Sequence, residues 1–69
     1  MNEIQHLVRR IPLVSLRCFE SFARLGEVTA AAAELGITPS AVSHQLAALE
    51  SRLNTPLTER RGRRLVLNA

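Results

Sequence analysis

A chain of 69 residues provides for one small domain, and a domain of this size buries only about 60% of the surface that its unfolded chain exposes. A deep, enclosed active site is therefore not expected. The hydrophobic content of 46% argues against disorder, and the single cysteine, Cys18, excludes an internal disulfide and is typical of a reducing compartment.

The charge is unevenly distributed along the chain. All nine basic residues are arginine; five arginines and one glutamate give residues 52–69 a net charge of +4, whereas four arginines and five glutamates give residues 1–51 a net charge of −1. A basic end on a nearly neutral body favours a polyanionic partner. No apolar run approaches the roughly 20 residues of a membrane span, and Arg9-Arg10 lacks the apolar stretch of an export signal, so a cytoplasmic chain without membrane contact is expected.

Residues 1–12 are predicted to be an N-terminal extension to a domain over residues 13–69. The apolar residues of this segment fit either a short amphipathic turn ended by Pro12 or a frayed terminus. They are Ile4, Leu7, Val8 and Ile11.

The first helix of the domain is predicted to run from about residue 14 to residue 25, with Gly26 as its C-terminal stop. Cys18 is interpreted as a small core residue, because no partner that would activate its thiol is apparent. The predicted core face of this helix consists of Leu16, Phe19, Phe22 and Ala23.

The second helix is predicted over residues 30–35, with Thr29 as its N-cap and Gly36 as its stop. Four consecutive alanines favour a helix and allow another helix to approach closely. The predicted buried stripe consists of Val28, Ala32 and Leu35.

The third helix has the strongest local signals in the sequence. Thr38 is predicted to be its N-cap, and Pro39 takes the first helical position, where its missing N–H costs nothing. The helix should continue to about Leu53, since Asn54 suits a left-handed stop and Pro56 prevents continuation.

Two short strands are predicted after the third helix, at residues 57–59 and 65–67. Gly62 lies between them and suits a turn with positive φ. Leu65 and Leu67 should share one half-buried face. The connecting segment contains Arg60, Arg61, Arg63 and Arg64.

The third helix carries two opposite faces, because residues 40 and 42 are about 200° apart around a helix. One face is apolar: Val42, Leu46, Leu49 and Leu53. The other is small and neutral: Ser40, Ser43, His44 and Ala47. Serine and histidine can donate to or accept from base edges, so this face suits the major groove of DNA; a plain solvated helix face is the alternative.

The order of the elements strengthens the DNA interpretation. A short helix, a tight turn and a longer helix form a helix-turn-helix, and the basic hairpin completes a mainly α, winged helix-turn-helix fold of three helices and a two-stranded β-hairpin. The hairpin arginines are predicted to contact phosphates, with a solvated basic loop as the alternative. Thr29 and Thr38, at the starts of the second and third helices, are further phosphate candidates.

Two stretches, residues 38–50 and 59–67, closely resemble the N-terminal domain of LysR-type transcriptional regulators, as do residues 16–19 and 29–35. The resemblance covers residues 11–68 and is closest to the branch that includes the glycine-cleavage activator. It implies a sequence-specific DNA-binding module of a bacterial transcriptional regulator. The positions predicted to approach bases are Pro39, Ser40, Ser43 and His44; the hairpin arginines would approach the backbone.

The sequence departs from the family pattern at three positions. Thr58 replaces a usual Phe, which should weaken the apolar anchor of the wing. Asn54 replaces a usual Gly, and Pro39 replaces a frequent Gln that could read adenine.

The family also has a long, dimerising linker helix and a C-terminal effector-binding domain, and neither is expected within these 69 residues. A homodimer or tetramer would require that linker helix. The chain alone is expected to be monomeric, because its apolar stripes are needed inside the domain and leave little surface for a partner.

Other functions have weaker support. No metal-ligand spacing, catalytic constellation or Gly-rich phosphate loop is present, so no catalytic residue, metal or cofactor is expected and an enzyme is not indicated. The alternative is a truncated protein-interaction module that pairs with or antagonises a full-length regulator.

Overall fold

The computed structural model of the chain describes residues 11–68, so the predicted extension lies almost entirely outside the described residues. Three helices precede a two-stranded antiparallel hairpin, which confirms the predicted architecture. The elements are α1 (Leu13–Leu25), α2 (Val28–Leu35), α3 (Pro39–Leu53), β1 (Thr58–Arg61) and β2 (Arg64–Leu67). Over the described range, no helix has the length and apolar character needed to cross a membrane.

The predicted limits of α3 are confirmed. Thr38 caps its N-terminus, with its Oγ1 accepting a hydrogen bond from the Ala41 backbone N–H at 3.1 Å, and Pro39 takes the first position. Asn54 ends the helix at φ 51°, a left-handed conformation that asparagine tolerates better than most residues. Strong local capping at both ends fixes where the helix begins and stops.

The predicted start of α2 is wrong. Thr29 is not the N-cap but the second residue of the helix, and Glu27 is the N-cap, with extended backbone and no side-chain capping bond. Val28 is half-buried against the core, so the helix begins as soon as the chain leaves the left-handed Gly26, and the Ala31 N–H donates to the Glu27 carbonyl at 3.1 Å.

The core lies where the three helices meet. Phe22 is fully buried at its centre, whereas the other aromatic residue, Phe19, is only partly buried. The buried cluster consists of Cys18, Phe22, Ala31, Ala32, Val42 and Leu46, and the partly buried side chains packed against it are Phe19, Val28, Leu35 and Leu65. The interpretation of Cys18 as a core residue is confirmed.

The predicted core face of α1 is partly wrong. Leu16 and Ala23 are exposed, whereas Ser15 and Ser21 are fully buried. Burial of these serines is tolerated because each hydroxyl has a hydrogen-bond partner on another helix. The face that packs is therefore rotated toward the serines.

Two apolar side chains that belong to none of the predicted stripes are exposed at the start of α1. Leu13 is 71% exposed and Val14 is 44% exposed at the start of α1. Exposed apolar side chains are common on soluble proteins, and neither of these two belongs to the buried cluster.

Both strands reach closer to the turn than predicted, since the first begins one residue later and ends at Arg61 and the second begins one residue earlier, at Arg64. Arg61 pairs with Arg64, so Gly62 and Arg63 form a two-residue turn, with φ 63° at Gly62. A positive φ at the first turn residue matches the twist of a hairpin and lets the ladder continue to the arginines. Leu65 and Leu67 lie two residues apart in β2 and so share a face, but only Leu65 is half-buried, whereas Leu67 at the end of the strand is 40% exposed.

Candidate nucleic-acid interface

The third helix, here called the recognition helix, has the two faces that its sequence predicts. Val42, Leu46 and Leu49 are buried, and Leu53 is half-buried. On the other face, Ser40, His44 and Ala47 are exposed and Ser43 is half-buried. The outer face therefore presents hydroxyl and imidazole groups to solvent without an acidic side chain among these four residues.

The start of the recognition helix combines exposure with a defined hydroxyl geometry. Thr38 Oγ1 accepts from the Ala41 N–H and lies 3.3 Å from Ser40 Oγ. A hydroxyl has one donor and two acceptor sites, so both side chains keep hydrogen-bonding capacity for an outside group. Pro39 lies exposed between them.

The hairpin, here called the wing (residues 58–67), forms an open cleft of about 390 Å³ with the start of α2 and the recognition helix. This basic cleft brings Ser43 and Thr29 together with three of the four hairpin arginines. Its lining consists of Glu27, Val28, Thr29, Ser43, Arg60, Arg63, Arg64 and Leu65. The other predicted site residues lie outside this lining: Thr38, Pro39, Ser40, His44 and Arg61.

The strand register separates Arg61 from Arg60. Arg60 pairs across the wing with Leu65, which packs on the core, whereas Arg61 and its cross-strand partner Arg64 lie on the opposite face of the ladder. The Arg64 side chain still reaches the cleft, but that of Arg61 does not, and Arg61 Nη2 lies 3.6 Å from Oε1 of Glu59. Arg61 therefore belongs to the outer side of the wing.

The three arginines of the basic cleft differ in their partners. Arg64 Nη2 donates to the Gly26 carbonyl at 3.4 Å and lies 3.8 Å from Oε1 of Glu27. Within residues 11–68, Arg60 and Arg63 form no ion pair or side-chain hydrogen bond. These two guanidinium groups are therefore the most available to an external anion.

The base of the wing is fastened to the recognition helix by Glu50. Its Oε2 accepts from the backbone N–H of Leu57 at 2.7 Å and from the N–H and hydroxyl of Thr58 at 2.9 and 3.0 Å. Burial acts to raise the pKa of this carboxyl, but the three hydrogen bonds outweigh it and hold the pKa below its usual range. Thr58 thus supplies a polar anchor where a weakened apolar one was expected.

A second polar contact positions the recognition helix. The buried Ser15 hydroxyl of α1 donates to Oε1 of Gln45 at 2.7 Å. Sequence reasoning missed both Gln45 and Glu50. The available signal was their position on the helix, because each lies one residue from the buried stripe, beside Leu46 and Leu49 respectively.

The cysteine, Cys18, is buried and has no disulfide partner. Burial raises the pKa of the Cys18 thiol, and Arg17 opposes this with a smaller effect. The raised pKa is unfavourable for a reactive thiolate. In the described part of the chain, no group of three or more histidine, cysteine or acidic residues could hold a metal ion.

Comparison with known proteins agrees with this arrangement. Residues 13–69 match the family model described as bacterial regulatory helix-turn-helix protein, lysR family. The chain is 54% identical over 57 residues to the HTH-type transcriptional activator AmpR of Yersinia enterocolitica, covering 83% of this chain and 19% of that protein. It is 48% identical over 65 residues to the glycine cleavage system transcriptional activator homolog of Haemophilus influenzae, covering 94% and 22%.

A solved structure shows the same arrangement of elements. The probable transcriptional regulator PA0477 from Pseudomonas aeruginosa superimposes with a TM-score of 0.77 at 39% identity, covering 90% of this chain and 21% of that one. The chain therefore spans about a fifth of the length of the relatives it matches. The domain is a DNA-binding module of a bacterial transcriptional regulator, and the chain belongs to the lysR family of bacterial regulatory helix-turn-helix proteins.

Proposed function

We propose that the recognition helix enters the major groove of double-stranded DNA and reads base edges through the outer face of its first two turns. The residues assigned to bases are Pro39, Ser40, Ser43 and His44. The observation that carries this assignment is the position of Ser43, which lines the basic cleft together with Arg60 and Arg63. A helix seated in the groove has phosphates along both of its sides, so base-reading and phosphate-binding groups must adjoin.

Phosphate contacts are assigned to residues that surround this helix: Thr29, Thr38, Arg60, Arg61, Arg63 and Arg64. Arg60 and Arg63 have the strongest support, because they line the basic cleft and form no ion pair with another described residue. Thr29 lies in the first turn of α2, where unpaired backbone N–H groups favour an anion. Arg61 has the weakest support, since it is outside the cleft lining and pairs with Glu59.

The proposal is tested by fluorescence anisotropy with a labelled duplex of random sequence at salt concentrations from about 50 to about 200 mM. Binding that weakens steeply with salt is expected, because each neutralised phosphate contributes about −0.9 to the slope of log K against log salt. Sequencing of the DNA retained from a random pool then defines the preferred bases. A chain that shows no salt-dependent binding to any duplex would contradict the proposal.

We further propose how the module operates in a complete regulator. Residues 13–69 would be the DNA-binding domain, acting on chromosomal DNA in the bacterial cytoplasm. Dimer or tetramer formation would depend on a linker helix outside these 69 residues, and the 69-residue chain alone would be a monomer. The assignment of DNA binding and oligomerisation to different parts of a longer regulator is supported by the matched relatives, because the chain spans about a fifth of their length.

A further inference from the structure

The basic cleft contains one acidic side chain. Of the glutamates within residues 11–68, only Glu27 lines it. The others are engaged elsewhere: Glu20 and Glu34 pair with Arg24, Glu50 holds the base of the wing, and Glu59 pairs with Arg61. Because this cleft is proposed to bind a polyanion, the presence of a carboxylate in it requires a physical explanation.

The carboxylate of Glu27 faces the wing and not its own helix. Glu27 is the N-cap residue of α2, yet its side chain makes no capping hydrogen bond. Its Oε1 lies 3.8 Å from Arg64 Nη2, and both side chains are well exposed. The pair therefore joins two elements across the mouth of the cleft.

We propose that Glu27 occupies Arg64 in the free protein and competes with a DNA phosphate for it, so that it lowers the affinity of the domain for all duplexes alike. Carboxylate and phosphate oxygens accept the same forked hydrogen bonds from a guanidinium. At 3.8 Å Glu27 and Arg64 form an ion pair without a hydrogen bond, so a phosphate can displace the carboxylate from Arg64, and the displaced carboxylate still repels the DNA backbone. The inference rests on the proposed DNA contact of the cleft.

The geometry favours competition over a structural role for this pair. The hydrogen bond from Arg64 to the Gly26 carbonyl is long at 3.4 Å, and an exposed ion pair contributes little to stability. The wing is held at its base by three hydrogen bonds of 2.7–3.0 Å to Glu50 and by Leu65 on the core. Loss of Glu27 should therefore leave the wing in place.

Glu27→Gln is the direct test, since it removes the charge and keeps the shape. Glu59→Gln is the matched control: it changes net charge equally and breaks a similar exposed pair on the outer side of the wing. At about 50 mM salt, Glu27→Gln should tighten binding to a random-sequence duplex by about two- to tenfold, with a steeper salt slope. Glu59→Gln should change affinity by less than about twofold.

A second comparison tests the route through Arg64. In an Arg64→Ala background, Glu27→Gln should still tighten DNA binding, but the change in the logarithm of Kd should be less than half of that in the wild-type background. Circular dichroism and thermal unfolding of each variant should match the wild type. The ranking of preferred DNA sequences should also be unchanged, because phosphate contacts carry no base information.

Three outcomes would overturn the inference. Equal gains from Glu27→Gln and Glu59→Gln would indicate an effect of net charge alone. A full gain in the Arg64→Ala background would show that Arg64 is not the intermediary, and weaker binding by Glu27→Gln would show that the pair holds the wing in place. If the wild type shows salt-dependent DNA binding, the proposed function stands, and each of these three outcomes then contradicts the inference about Glu27 alone.

Discussion

Glu50 and Thr58 join the recognition helix to the wing, because one carboxylate oxygen accepts both the backbone N–H and the hydroxyl of Thr58. Glu50 lies in the last turn of the helix, and Thr58 is the first residue of the first strand. The wing therefore cannot tilt without breaking bonds to the helix that is proposed to read bases. The proposed base contacts and phosphate contacts are therefore held in one fixed relation.

Glu50→Gln should lower the free energy of unfolding by about 1–3 kcal/mol near neutral pH, because a charged acceptor is replaced by a neutral one. The folded-state pKa of Glu50 lies below its usual range, so this stabilisation is present above the usual pKa. It is lost as pH falls through the folded-state pKa. Urea unfolding of both proteins between about pH 3 and pH 7 should thus show a difference that shrinks in acid.

Glu59→Gln is the control for that experiment, since its exposed pair with Arg61 should contribute at most about 0.5 kcal/mol. The lowered pKa of Glu34, caused first by its hydrogen bond from Arg24 and then by that from Ser21, is common to all three proteins and cancels in the comparison. A wild type and Glu50→Gln variant that differ equally at every pH would contradict the role assigned to the carboxylate.

Arg60→Ala and Arg63→Ala should each weaken binding to every duplex and reduce the salt slope by about 0.9 if each arginine contacts one phosphate. Arg61→Ala should have the smaller effect, because Arg61 lies on the outer side of the wing with Glu59. Anisotropy titrations at several salt concentrations give these slopes. Unchanged slopes for Arg60→Ala and Arg63→Ala would refute phosphate binding by the cleft.

Alanine replacements of Ser40, Ser43 and His44 should change which bases are preferred, by roughly 1–3 kcal/mol for each well-formed hydrogen bond to a base that the substitution removes. Ser51→Ala is the matched control, since Ser51 is exposed near the far end of the same helix. Selection from a random pool measures the preference of each variant. If all three variants keep the wild-type preference while affinity falls, the outer face only positions the helix.

Ser15→Ala should destabilise the domain by about 0.5–1.5 kcal/mol, because its hydrogen bond to Gln45 is removed. Gln45→Ala should cost more, about 1–3 kcal/mol, because it leaves the fully buried Ser15 hydroxyl without its partner. Denaturant unfolding of both single variants and the double variant yields the coupling energy. Strict additivity would mean that the hydrogen bond contributes nothing.

The 69-residue chain should sediment as a monomer and bind DNA in the range of about 10⁻⁴–10⁻⁶ M at physiological salt, as one helix and one wing are expected to do. Fusion of a parallel coiled coil after Ala69 should raise affinity for a palindromic site by about 10²–10⁴ where the geometry permits both contacts. A stable dimer at micromolar concentration would contradict this prediction and direct attention to exposed Leu13 and Val14.

The features that sequence predicted correctly are those determined within one turn of helix. Thr38, Pro39 and Asn54 act on neighbouring backbone groups, so the limits of α3 follow from the sequence itself. The buried serines could not be found in this way. Ser15 and Ser21 are buried because their partners, 30 and 13 residues away, come close only in the folded chain.

The candidate site also combines features that follow from local sequence with features that depend on the folded chain. The outer face of the recognition helix follows from helical periodicity, but the position of Arg61 depends on the turn. With the turn at Gly62 and Arg63, strand alternation places Arg61 opposite Arg60; the predicted longer loop gave no reason to separate them. Glu27 was missed because the short α1–α2 connection and the wing meet only in three dimensions.

The bond from Ser21 to Glu34 has a consequence for how α1 and α2 find their alignment. Ala31 and Ala32 are the buried residues of α2, and their short side chains let α1 approach closely. The Ser21 hydroxyl meets the Glu34 carboxylate at 2.6 Å in only one alignment, and a shift of one turn would leave a buried hydroxyl unpaired. This hydrogen bond thereby adds a directional requirement to the apolar packing of Phe22 and the two alanines, and favours one register of α1 against α2.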